Sequence, residues 1–230
     1  SSDLLQHGRE ERVGYNPIDR LVGVYNDVIK NKLITVEEYA KNTGQKTSEV
    51  TKLIDRANLM VEFLEFIDMP EHYYLARDWE LDGPLGEIKA VLNKIKTEEE
   101  REDVKNIIFT NIALKPNTDM TRYIRKIKNL VNTSQFKPFI EDNLELCERF
   151  LEKFDDKEEE TTVEFINKEV RDDEELKDDL KNTYDKYQEK VKKRNSINAP
   201  KNQIEKAIDA LQNIDFDIVL KIGRASCRER

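Results

Sequence analysis

Clusters of carboxylates are the residues in this sequence that most resemble catalytic or cation-binding groups. Asp155 and Asp156 are adjacent, and residues 172–175 form an unbroken acidic run. General acid–base chemistry, however, needs apolar surroundings or fixed partners that separate the pKa values of two carboxyl groups, and these pairs lie in solvated charge runs. Asp172 and Glu174 also lack the spaced ligands and the glycine of a calcium loop. We therefore expect no catalytic site and no enzymatic activity in this chain.

Cysteine, histidine and glycine give no stronger indication of a site. Two cysteines and two histidines are too few for a disulfide framework or a four-ligand structural zinc site. Cys147 is distant in sequence from both histidines, which predicts a small buried hydrophobic residue and not a nucleophile. The seven glycines never cluster into a phosphate-binding loop. The sequence therefore predicts no metal and no cofactor for these residues.

Residues 35–56 carry a more informative pattern. Thr35 and Glu38 have the spacing of a capping box, which predicts a helix start. Counting from Val36, a small residue is fifth, a glycine is ninth, and apolar residues are fifteenth and eighteenth. This spacing is typical of a helix-turn-helix, because its two helices cross at a small residue, turn at a glycine and lock together through apolar side chains. The four motif-core residues are Ala40, Gly44, Val50 and Leu53.

The same pattern leaves a set of polar side chains at the start and on one flank of the second helix. In DNA-binding helix-turn-helix proteins, this end of the helix reaches base edges in the major groove. We therefore predict that double-stranded DNA is bound by Gln45, Lys46, Thr47, Ser48, Thr51, Lys52 and Arg56. Helical domains that dock other proteins share the spacing, so a protein-docking function is the alternative.

The composition around this motif favours helices throughout the chain. The 230 residues are 37% hydrophobic and 38% charged, with only six prolines, and no apolar run approaches the ~18 residues that span a bilayer. Apolar periodicity predicts separate helices, one that Ser48 can cap and one over residues 59–67, with several more further along. The predicted fold class is all-α, with a helix-turn-helix domain, a helical region and a long acidic helical arm, and no membrane association.

The net charge of −9 is unevenly distributed. Residues 141–180 contain 18 acidic and 6 basic residues, a local net charge of −12, which leaves +3 for the rest. Residues 30–58 carry six basic against four acidic residues, and further basic stretches cover residues 122–128, with Lys137, and 190–194. Such stretches either follow phosphates or are solvated helix faces.

Residues 16–19, 34–41 and 44–50 read Asn-Pro-Ile-Asp, Ile-Thr-Val-Glu-Glu-Tyr-Ala-Lys and Gly-Gln-Lys-Thr-Ser-Glu-Val. This order resembles the ParB family of plasmid and chromosome partition proteins over about residues 12–75. The resemblance implies DNA partition, an N-terminal ParB/sulfiredoxin-like domain that binds CTP and of which little is included here, and a partition ATPase as a partner. It also makes a homodimer an expected assembly.

The predicted organisation follows from these patterns. Residues 1–15 are the remnant of the N-terminal domain, 16–80 the DNA-binding domain, 81–140 a helical middle region, and 141–221 the acidic helical arm. Residues 222–230 resemble a translated sequencing adaptor and are left out of the fold prediction. We expect a cytoplasmic, nucleoid- or plasmid-associated protein of bacterial or phage type that binds specific DNA sites in partition. The alternatives are a transcriptional regulator with the same motif and a helical adaptor that does not bind DNA.

Overall fold

The computed structural model describes residues 16–155 and 161–213, and all regular structure within them is helical. Two of the α-helices continue into wider π-helical turns, over Tyr25–Lys30 and Ile166–Val170. The predicted all-α fold class is confirmed. In chain order the helices are α1 (Pro17–Val24), α2 (Val36–Thr43), α3 (Thr47–Phe66), α4 (Tyr73–Asp78), α5 (Asp82–Leu92), α6 (Glu98–Leu114), α7 (Met120–Ile127), α8 (Phe136–Asp155), α9 (Val163–Phe165) and α10 (Glu174–Gln212).

The first two helices begin where the sequence supplies a capping side chain. The Asn16 carboxamide oxygen accepts a hydrogen bond from the Ile18 N–H at 2.9 Å, and Pro17 occupies the first helical position. At α2, the Glu38 N–H donates to the Thr35 hydroxyl at 3.2 Å, and the Thr35 N–H donates to the Glu38 carboxylate at 2.8 Å. This is the predicted capping box, and it fixes the first residue of α2.

Helix α3 is longer than the sequence pattern predicts. The separate helices expected from Ser48 and over residues 59–67 are one continuous helix of 20 residues. No glycine or proline interrupts it, so nothing in its backbone favours a break. Buried apolar side chains recur along most of its length, from Val50 to Leu64, which makes it the central helix of the first half of the fold. These buried residues are Val50, Leu53, Ala57, Leu59, Met60, Phe63 and Leu64.

An aromatic cluster joins α3 to α6 and α8. The ring centroids of Phe63 and Phe109 are 5.4 Å apart, and those of Phe66 and Phe109 are 5.5 Å apart. Phe66 also stacks on Phe150 of α8 at 5.5 Å. The acidic helix α8 therefore contributes its apolar face to the same core that supports α3.

Basic side chains of α8 form ion pairs with carboxylates at the start of α10. Arg149 pairs with Asp179 and Lys153 pairs with Asp173, each at 2.7 Å. These pairs join positions 20 to 30 residues apart, and they reduce the repulsion among the many acidic residues.

The chain divides into two compact units, with the boundary between Tyr187 and Gln188 inside α10. The predicted boundaries at residues 80 and 140 therefore both fall within the first unit. The predicted segments 1–15 and 222–230 lie outside the described residues. In the second unit, the described residues continue α10 with four exposed apolar side chains, Ile197, Ile204, Ile208 and Leu211.

Candidate nucleic-acid interface

The turn between α2 and α3 is built on Gly44. Its backbone is left-handed, with φ of 67° and ψ of 20°, and it ends α2. The Gln45 N–H donates to the Ala40 carbonyl at 3.0 Å, which closes the helix end. Because a side chain strains a backbone in this conformation, glycine is the residue that the turn requires. Three residues, 44–46, are then sufficient to start the second helix.

Behind the turn, the motif-core side chains lie where the helix-turn-helix spacing predicts. Ala40, Val50 and Leu53 are all buried, and Val50 has no exposed surface at all. Leu21 and Val24 of α1 are equally buried, and α1 packs against α3. The orientation of α3 is therefore fixed by apolar contacts, and its polar flank points away from this core.

The start of α3 differs in one detail from the prediction. Lys46, and not Ser48, is the residue before the helix, and its N–H donates to the Glu49 carboxylate at 3.2 Å. The Ser48 hydroxyl is therefore not used as a cap. Thr47 and Ser48 are exposed in the first turn of the helix, where a DNA-reading side chain must lie.

The next turn of α3 presents two more of the predicted side chains. Thr51 and Lys52 are both exposed. The Thr51 hydroxyl donates to the Thr47 carbonyl at 3.0 Å, so its oxygen still has lone pairs for an external donor. Together with Lys46, Thr47 and Ser48, these residues form one polar surface on the first two turns of α3.

Gln45 is only partly on this surface. Its amide oxygen is buried and has no hydrogen-bond partner in the structure, although the residue as a whole is half-exposed. A buried acceptor without a partner is unfavourable by ~1–3 kcal/mol. Gln45 therefore faces outward less than the prediction required, because the chain is still turning at this residue.

Arg56 is held away from the polar surface by an ion pair. Its guanidinium Nη1 lies 2.7 Å from Oδ1 of Asp82, the first residue of α5, and both side chains are about one-third exposed. Asp55 pairs in the same way with Lys89 of α5. These contacts link α3 to α5. Arg56 therefore holds α3 against α5, and its guanidinium is occupied by Asp82 instead of facing DNA. The sequence pattern missed Asp82 because it is 26 residues away.

The other cations of residues 30–58 are mostly unpaired. Lys30 hydrogen-bonds Glu71, which raises the pKa of Lys30 and lowers the pKa of Glu71. Four other lysines in this range have no ion pair within the described residues. They are Lys32, Lys41, Lys46 and Lys52, and all are exposed. The start of α3 therefore presents two unpaired lysines, Lys46 and Lys52, to an anion, beside the exposed carboxylate of Glu49.

The carboxylate clusters and Cys147 are the other residues whose types could form a site. No group of three or more His, Cys, Asp or Glu side chains there is arranged to hold a metal ion. Cys147 is buried as predicted, and burial raises the pKa of its thiol to about 11. The Asp173 carboxylate accepts the Leu176 N–H at 2.9 Å and so caps α10. Within 16–155 and 161–213, no helix combines the length and apolar character that crossing a bilayer requires.

Comparison with known proteins adds no functional assignment to this geometry. No family model, no curated protein and no solved structure matches the chain.

Proposed function

We propose that this chain binds double-stranded DNA through α2 and α3, with the start of α3 in the major groove. The observation that carries the proposal is the exposed polar surface on the first two turns of α3, set on the buried contacts of Ala40, Val50 and Leu53. A helix of this kind, held by a second helix across a glycine turn, has the form that major-groove readers use.

The side chains of this surface divide into two roles. Lys46 and Lys52 are flexible, unpaired cations, which suits contacts with backbone phosphates that give affinity without sequence information. Thr47, Ser48 and Thr51 are short and polar, which suits hydrogen bonds to base edges. Gln45 joins them once its amide turns outward, whereas Arg56 supports α3 through Asp82.

The resemblance to the ParB family supports a role in DNA partition. On that proposal, the protein recognises sites on a plasmid, phage or chromosome, acts as a homodimer and binds a partition ATPase. CTP belongs to the N-terminal domain that the resemblance implies, and the protein associates with the nucleoid or plasmid. Each of these roles depends on DNA binding, so DNA binding is the property to test first.

The test is selection of bound duplexes from a random library, followed by titration of the enriched duplex and a scrambled one. We expect enrichment of a defined site, bound more tightly than the scrambled duplex by at least the ~10³-fold typical of specific binders. The double variant Lys46→Ala/Lys52→Ala should weaken binding to both duplexes. The control Lys168→Ala/Lys181→Ala removes the same charge from outside the motif and should leave both affinities unchanged.

The outcome also separates the alternatives. Sites clustered near genes for a partition ATPase favour partition, whereas a single site in the protein's own promoter favours a transcriptional regulator. No enrichment and no duplex binding by the wild-type chain would overturn the proposal and favour a helical adaptor.

A further inference from the structure

Helix α7 carries one of the basic stretches that the helix-turn-helix does not explain. Its apolar residues Met120, Tyr123, Ile124 and Ile127 are buried. Every charged side chain within the helix is a cation. The cations of α7 and of the residue after it are Arg122, Arg125, Lys126 and Lys128.

These four cations share one surface depression of about 360 Å³, which Thr121 and Asn129 also line. Thr121 and Asn129 add a hydroxyl and an amide, both of which can donate hydrogen bonds. The depression therefore combines four cations and two neutral donors with one carboxylate, that of Asp119, so its net charge is positive, as an anion site requires.

The carboxylates of Asp119 and Glu87 lie close to these cations, and each already accepts a hydrogen bond within the protein. Asp119 lines the depression and accepts the Arg122 N–H at 2.8 Å, which caps α7. Glu87 of α5 accepts two hydrogen bonds from Arg125, at 2.7 and 2.9 Å. The guanidinium of Arg122 and the ammonium of Lys128 have no ion pair among the described residues, so two cations remain for an external anion.

The helix that carries these cations is held rigidly. The Tyr123 ring stacks on Tyr184 at 3.9 Å, and its hydroxyl donates to Asn111 at 2.7 Å. On the α5 side, Thr121 packs so closely against Gly83 that a Cβ at position 83 would lie 2.5 Å from its hydroxyl oxygen. Cations on a fixed helix keep their spacing, which suits a ligand whose own charges are regularly spaced.

Ion pairs connect this helix to the helix-turn-helix through α5. Arg56 of α3 pairs with Asp82, and Glu87 pairs with Arg125 of α7. Helix α5 packs against both α3 and α7. The cations of the α7 depression therefore belong to the same compact unit as the lysines of α3 and lie one helix away from them.

We propose that the α7 depression is a second DNA contact, in which Arg122 and Lys128 bind backbone phosphates beside the duplex segment that α3 reads. The inference rests on the proposed function, because it extends the same DNA-binding surface. This contact is independent of base sequence, since a phosphate presents the same oxygens at every step.

The experiment measures binding of the full chain to the selected duplex and to a random-sequence duplex over a series of salt concentrations. Each phosphate contact contributes ~0.9 to the slope of log affinity against log salt. Arg122→Ala/Lys128→Ala should therefore flatten the slope by about two units and leave the ratio of specific to non-specific affinity unchanged. Arg122→Gln/Lys128→Gln should do the same while keeping more of each side chain.

Two controls isolate the charge at these positions. The exchange Arg122→Lys/Lys128→Arg keeps both charges and should keep the wild-type slope. Lys168→Ala/Lys181→Ala removes two exposed lysines elsewhere in the unit and should also keep it. Circular dichroism melting of each variant identifies loss of binding that comes from unfolding. An unchanged slope in both neutral α7 variants would overturn the inference.

A second arm separates a DNA phosphate from a free one. Inorganic phosphate should displace the duplex no better than chloride at equal ionic strength, because a single anion cannot bridge α3 and α7. Stronger displacement by phosphate, lost in Arg122→Ala/Lys128→Ala, would make the depression a free-phosphate site and overturn the inference.

The proposed function fails separately from this inference. If Lys46→Ala/Lys52→Ala weakens duplex binding and the neutral α7 variants leave it unchanged, DNA binding by α3 is supported and the second contact is contradicted. If the wild-type chain binds no duplex, both fall.

Discussion

Arg56 of α3 and Asp82 of α5 lie 2.7 Å apart, nitrogen to oxygen, although 26 residues separate them in sequence. This ion pair places the second helix of the helix-turn-helix against the helix that follows the domain. The helix-turn-helix spacing assigns the Arg56 guanidinium to DNA, whereas in the structure it pairs with a carboxylate of the same chain. A change at Asp82 therefore affects both the stability of the fold and the availability of the Arg56 guanidinium for DNA.

The first prediction concerns the strength of this pair. In a double-mutant cycle of Arg56→Ala and Asp82→Ala, we expect a coupling free energy of about 0.5–1 kcal/mol, since both side chains are about one-third exposed and solvent screens them. Urea unfolding of the four proteins measures it. Strictly additive single variants would mean that the pair contributes nothing to stability.

The same pair predicts a gain of DNA binding. Asp82→Asn should free Arg56 for the duplex and steepen the salt dependence by up to ~0.9. Glu145→Gln removes an equal charge from an exposed position of α8 that has no ion pair among the described residues, and it serves as the control. Equal effects of the two variants would show a general change of net charge and no specific release of Arg56.

The sequence predicts those parts of the site whose contacts join residues close together along the chain. Thr35, Glu38 and Gly44 act within a few residues, so the start and end of α2 are predictable from local spacing alone. The burial of Val50 and Leu53 follows from helical periodicity. Asp82 could not be predicted, because pairing it with Arg56 requires the packing of α5 on α3.

The acidic region illustrates the same limit. The sequence correctly predicts helices there, but apolar positions such as Leu146 and Phe150 indicate little about their partners. Both are buried, and Phe150 stacks on Phe66 of α3. Charged residues of both signs fill many of the other positions of α8, so only tertiary contacts reveal that its apolar face belongs to the core.

Gly44 gives a prediction with an internal control. Gly44→Ala should reduce the free energy of unfolding by about 1 kcal/mol, because alanine is strained at φ of 67° although no atom lies within 4 Å of its Cβ. Gly86 lies inside α5 with its nearest contact at 3.9 Å, so Gly86→Ala should be neutral or stabilise by up to ~1 kcal/mol. Thermal melting compares the two, and equal destabilisation would contradict the argument.

Val50 tests the motif core. Val50→Asp places an unpaired carboxylate at a fully buried position, which typically costs ~3 kcal/mol or more of a domain's ~5–15 kcal/mol. We expect loss of cooperative melting by circular dichroism. Thr51→Asp, at the next and exposed position, should retain the wild-type transition to within ~0.5 kcal/mol. Retained cooperativity in Val50→Asp would place this side chain on the surface.

Cys147 gives a pH-dependent prediction. Burial raises the pKa of its thiol from 9.0 to about 11 in the folded protein, with a smaller opposing effect of the Thr110 hydroxyl. The Cys147 thiol therefore stays protonated up to a higher pH in the folded state than in the unfolded state. The resulting stability is present below pH 9.0 and is lost as pH rises towards about 11, by about 2–3 kcal/mol in total.

Urea unfolding at several pH values measures this loss, and Cys147→Ala should flatten it. Tyr123 and Tyr184, whose pKa values burial also raises, keep part of the slope in that variant. In a Cys227→Ser background, which leaves Cys147 as the single thiol, alkylation at about pH 8 should be slow until denaturant is added. Fast alkylation of the folded protein would mean that the thiol is accessible.

The last prediction separates affinity from specificity on α3. Lys52→Ala removes a phosphate contact, so it should weaken binding to all duplexes alike and flatten the salt slope by ~0.9. Ser48→Ala removes a polar group that reads a base edge, so it should lower the ratio of specific to non-specific affinity by the equivalent of ~1–3 kcal/mol and leave the slope unchanged. Gln45→Ala should act as Ser48→Ala does, but less strongly, because its amide oxygen is buried in the free protein. Titration of the selected and scrambled duplexes at several salt concentrations measures both quantities. A loss of specificity in Lys52→Ala with no change in Ser48→Ala would reverse the two roles and place the base edges beside the second turn of α3.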